Sequence, residues 1–89
     1  MRAVITVIGH DAVGIIAGVS DTLSKHNVNI LEISQSVLTE FFAMIMLADL
    51  SNSDCPLAVL SEELEGKGAG MGVKILLMHE DIFHAMHRI

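Results

Sequence analysis

Apolar and polar positions along this chain follow two periods. Residues 2 to 8, RAVITVI, are β-branched and apolar and are broken by Gly9 and Asp11, which predicts a buried strand followed by a turn. From Val13 to His26 the apolar residues Ile16, Val19 and Leu23 fall at helical spacing while Asp21, Ser24 and Lys25 stay polar, which predicts an amphipathic helix with Asp11 as its N-cap. NILEISQSVL (29–38) and FFAMIMLADL (41–50) are strand-like runs separated by Thr39-Glu40 and read as a hairpin. A polar loop, Ser51 to Asp54, precedes a second helix with the apolar stripe Leu57, Leu60 and Leu64; Ser53 or Asp54 is the expected cap, and Gly66 and Gly68 the expected end. GVKILLMH reads as a fourth strand and EDIFHAMHRI as a short terminal helix.

The order β-α-β-β-α-β predicts an α+β, ferredoxin-like sandwich: an antiparallel four-stranded sheet with two helices on one face, plus a short C-terminal helix. One domain, 1–89, is expected, with its core at about 2–79 and the terminal helix at 80–89. On the third strand Phe42, Met44, Met46 and Ala48 share one side, and Phe41, Ala43, Ile45 and Leu47 share the other. The fourth strand repeats this, with Val73, Ile75 and Leu77 opposite Lys74, Leu76 and Met78. One helical layer cannot cover two apolar faces. Removing apolar area from water is worth about 25 cal/mol per Å², so the second face predicts a homodimer, the alternative being a monomer whose terminal helix covers the sheet.

Charge and composition narrow the function classes. Five Lys and Arg against eleven Asp and Glu give a formal charge of −6, which repels phosphate backbones and anionic lipid, and Phe41, Phe42 and Phe83 are the whole aromatic inventory. Direct nucleic-acid binding and membrane binding are therefore not expected. The lone Cys55 forms no internal disulfide and suggests a reducing, cytoplasmic setting, and no signal peptide is expected at MRAVITVIGHD.

Among candidate chemistries, the turn GHDAVG leads into a helix whose unpaired backbone N–H groups favour anions, so a ligand carboxylate could bind there. Its glycines equally suit a plain tight turn with a capping Asp. It is neither a Walker loop nor a dinucleotide fingerprint. His79, Glu80, His84 and His87 have helical spacing compatible with metal ligation but equally suit a solvated helix face; no metal and no cofactor is expected. Cys55 lies in no nucleophile motif, and the acids at Glu62, Glu63 and Glu65 and at Glu80 and Asp81 read as solvated surface. An enzyme is not expected. Ser34 and Gln35 interrupt an apolar strand and could hydrogen-bond a ligand or a neighbouring strand.

Together, AVITVIGHDAVGIIAGVSDTL, NVNILEISQSVL and FFAMIMLADL resemble an ACT domain, and the whole is similar to the small stand-alone ACT proteins of the UPF0237 type. The resemblance extends to regulators with paired ACT domains, such as the glycine cleavage repressor, although a second copy is missing. It implies a regulatory module that binds an amino-acid-like ligand at a subunit interface. Carried over by position, it points to His10, Asp11, Ala12, Val13, Gly14 and Ile15 in the first turn, with Ser34 and Gln35 from the neighbouring strand region. An adaptor that docks a protein partner without a small ligand is the alternative. Copper chaperones and acylphosphatases share the fold class, but their CxxC and phosphate loops are absent.

Overall fold

Strands with alternating apolar faces and helices with single apolar stripes bury themselves most completely against one another, and the chain does so. The computed structural model describes residues 1–10 and 14–86. Its elements are β1 (Arg2–Gly9), α1 (Ile15–Lys25), β2 (Asn29–Leu38), β3 (Phe41–Asp49), α2 (Leu57–Met71), β4 (Lys74–His79) and α3 (Glu80–Met86). The strands form one sheet in the order β2-β3-β1-β4 with every neighbouring pair antiparallel. This is the predicted ferredoxin-like sandwich with an added C-terminal helix.

One face of the sheet carries the core. Ala3, Ile5 and Val7 of β1, Phe42, Met44, Met46 and Ala48 of β3 and Ile75 of β4 pack with Ile15, Val19 and Leu23 of α1 and Leu60 and Leu64 of α2. The second face is only partly covered. There α3 packs against β1 and β4, and an Arg2–Glu80 ion pair of 2.8 Å ties its start to β1. Val4 is buried, but Ile8, Phe41 and Ile45 remain 45%, 50% and 42% exposed.

Helix boundaries differ from the sequence expectation. α1 begins at Ile15 rather than Val13, and its N-cap is Gly14, in the left-handed region at φ 76°, with no side-chain cap hydrogen bond. Glycine reaches that conformation without a Cβ penalty; Asp11, the expected cap, lies outside the described residues. α2 is capped by Pro56 with extended backbone rather than by Ser53 or Asp54. The Ser53 hydroxyl instead accepts the Cys55 N–H at 3.3 Å, while Asp54 turns to His26. Gly66 and Gly68 do not end α2, which runs on to Met71 and stops at left-handed Gly72. Gly68 serves close approach: a Cβ there would sit 2.8 Å from the Val73 carbonyl oxygen at the entry to β4.

Candidate functional site

β1 ends at Gly9, paired with Phe42 of β3. The next residue, His10, donates from Nδ1 to the Glu40 carbonyl at 3.1 Å and stacks on Phe41 with ring centroids 5.0 Å apart. His10 is thereby held against the β2–β3 turn. Asp11, Ala12 and Val13 fall outside the described residues. Gly14 is exposed, and its carbonyl accepts the Gly18 N–H at 2.9 Å, the first bond of α1. The N–H groups of Gly14, Ile15, Ile16 and Ala17, which precede that bond, have no intrahelical acceptor, as at any helix start. The Ile15 side chain belongs to the core, so a ligand could use only its backbone.

Ser34 pairs with Ile45 and Gln35 with Met44, while Thr6 and Val7 of β1 lie across β3 from them. β2 is thus two strand spacings from β1, roughly 10 Å, and the Ser34 row is offset by three residues from Gly9. A single chain does not bring Ser34 or Gln35 to the β1–α1 turn. The two also face opposite sides of the sheet: Ser34 shares the second face with Ile45, and Gln35 shares the helical side with Met44. A partner packed on one face could meet only one of them.

Among the terminal histidines, His79 Nδ1 accepts the Asp81 N–H at 3.0 Å and His84 sits edge-on to Phe83. His87 is outside the described residues. Among those described, His79 and His84 do not join any cluster of three potential metal ligands.

A different cluster went unnoticed in the sequence. His26, the C-cap of α1, lies 2.6 Å through Nδ1 from Asp54 Oδ1 and 2.5 Å through Nε2 from Glu63 Oε2. Asp54, and then Glu63, hold the protonated ring and raise its pKa above the ordinary histidine value. Both nitrogens donate at once only in the imidazolium form. The clamp joins the end of α1, the loop before α2 and α2 itself, across 28 and 37 residues of sequence. An open groove lined by Ser20, Ser24, Asn27, Asn29 and Asn52 runs beside this end of α1.

Comparison with known proteins agrees with this architecture. The ACT domain family model matches residues 2–77. A UPF0237 protein of Methanopyrus kandleri is 52% identical over 88 residues, spanning 99% of this chain and 98% of that one. A UPF0237 protein of Clostridium acetobutylicum is 51% identical over 89 residues, the whole of both chains. The structure of an ACT domain protein from Streptococcus pneumoniae superposes with a TM-score of 0.82 at 40% identity, covering 98% of each chain. With sheet order, core face and full-length likeness in agreement, the chain belongs to the ACT domain family.

Proposed function

We propose that the chain is a non-catalytic regulatory module of the cytoplasm that works as a homodimer and binds a small, amino-acid-like ligand at the subunit interface. The β1–α1 turn of one protomer, residues His10 to Ile15, receives the ligand carboxylate, and the partner's second sheet face supplies polar contacts through Ser34. The observation that carries this reading is the start of α1: its N-cap is Gly14, which has no side chain to cap with, and among the described residues no side chain caps it, so its first-turn N–H groups are open to an anion. Membership of a family of generally regulatory, small-molecule-binding domains supports it. So does the separation of Ser34 from the turn of its own chain, which makes a two-chain site the economical arrangement. Gln35, on the helical side, is left with a weaker claim.

Thermal-shift titration with the twenty amino acids tests the proposal. A ligand at 100 times its Kd stabilises the folded state by about 2.7 kcal/mol, which for a domain of this size raises Tm by roughly 10 °C or more. The expected result is such a shift for one amino acid or a few related ones, weakened by Asp11→Ala. A flat response to all twenty at millimolar concentration would overturn the ligand reading. A second reading, an adaptor that docks a protein partner, is favoured by exposed Ile8, Phe41 and Ile45 together with Ile82 and Met86 on α3. It requires a stoichiometric partner recovered from the native cell whose binding survives Asp11→Ala.

A further inference from the structure

The clamp around His26 contains a third kind of donor. A His26 ring nitrogen, an Asp54 carboxylate oxygen and Cys55 Sγ all lie within 4.8 Å of one another, and it is Nδ1 that already meets Asp54. Cys55 is the only cysteine in the chain, and it is held in place from two sides. Ser53 Oγ bonds its backbone at both N–H and carbonyl, and the side chain packs against the core. The Asp54 N–H donates to the His26 carbonyl at 3.2 Å, so the loop is tied by its backbone to the end of α1.

A tetrahedral Zn²⁺ with bonds of about 2.0–2.3 Å spaces its N, O and S ligands roughly 3.4–3.6 Å apart. The present arrangement lies close to that. The Nδ1–Oδ1 pair, at 2.6 Å, must open by about 1 Å and the sulfur, within 4.8 Å of its partners, must close by up to about 1.3 Å, and the Asp54 side chain is 55% exposed and free to adjust. On the far side of the ring, Glu63 Oε2 receives Nε2, the carboxylate–histidine–metal arrangement that orients metal-binding imidazoles. The donor set of imidazole, carboxylate and thiolate suits a borderline-soft ion, and its two negative charges match a divalent one.

We propose that His26, Asp54 and Cys55 form a binding site for one Zn²⁺-like cation, with Glu63 as the positioning residue. On binding, the His26–Asp54 hydrogen bond breaks, three ligand bonds form, and the protons of Nδ1 and the thiol leave to solvent. Water completes the coordination shell.

Co²⁺ titration of the chelator-stripped chain tests this. The expected result is 1:1 binding with tetrahedral visible bands and a near-ultraviolet sulfur-to-cobalt charge-transfer band, both bleached by Zn²⁺. Cys55→Ser removes the charge-transfer band, and His26→Gln weakens or abolishes binding. Glu63→Gln keeps the band and weakens affinity about 10- to 100-fold. His79→Ala and His84→Ala change nothing. Alkylation of native Cys55 by iodoacetamide, slowed by Zn²⁺, reads the same site without any variant. Absence of the charge-transfer band in the native chain, its persistence in Cys55→Ser, or alkylation indifferent to Zn²⁺ would overturn the site; an unchanged affinity in Glu63→Gln would overturn its positioning role.

Discussion

Gly14 holds φ 76° at the start of α1 with open space where a Cβ would stand, so a side chain there meets backbone strain rather than a neighbour. Gly14→Ala should cost about 1–2 kcal/mol. Gly66, exposed within α2 and also facing open space, has the opposite sign: Gly66→Ala should stabilise by about 0.5–1 kcal/mol. Thermal melts of the two variants, moving in opposite directions from the parent, check both. Asp49 gives a pH dependence. Its Oδ1 accepts from the Ser51 hydroxyl at 2.6 Å and the Ser51 N–H at 2.9 Å, and these bonds hold its pKa below the usual carboxylate value. Because the folded value lies below the unfolded one, the contribution is full above about pH 4 and is lost as pH falls through the folded value. Asp49→Asn should therefore lower Tm at pH 7, and the gap between variant and parent should close as the melts are taken into acid. At this scale the sequence was least legible. It offered Ser53 or Asp54 as the cap of α2 because they precede an apolar periodic run, yet Pro56 takes that position and Asp54 finds its partner in His26, 28 residues away.

At the scale of elements the sequence was far more legible. Leu57, Leu60 and Leu64 lie one helical turn apart and became the buried or half-buried stripe of α2. Leu64→Ala should cost about 2–5 kcal/mol, whereas Val59→Ala, at a position 48% exposed on the same helix, should cost far less; urea midpoints at equal m-value measure both. The strand faces on β3 and β4 followed the parity of the sequence. The end of α2 did not, because a glycine that stops a helix and one that admits a close neighbour look alike in sequence. Gly68 belongs to the second kind only because β4 passes over it. The register irregularity between Ile30 and Glu32 in β2 was likewise invisible, since it is defined against the partner strand β3.

For the whole molecule, the decisive feature is the second face of the sheet. α3 reaches β1 and β4 but leaves Ile8, Phe41 and Ile45 open, so the described part of the terminal helix does not complete the cover of this face. Ile45→Glu places a charge on that face with little cost to the isolated fold. It should convert a dimer into a monomer by light scattering while leaving the far-ultraviolet circular dichroism unchanged; a variant that remains dimeric would place the interface elsewhere. The element order, the core face and the existence of a second apolar face were determined by the sequence alone, because strand and helix periods are local properties of residues a few positions apart. The helix starts and stops, the separation of Ser34 from the β1–α1 turn and the meeting of His26, Asp54, Cys55 and Glu63 were decided only by tertiary structure. Each depends on groups that local periodicity cannot relate and that come together, or stay apart, only when the sheet and helices have packed.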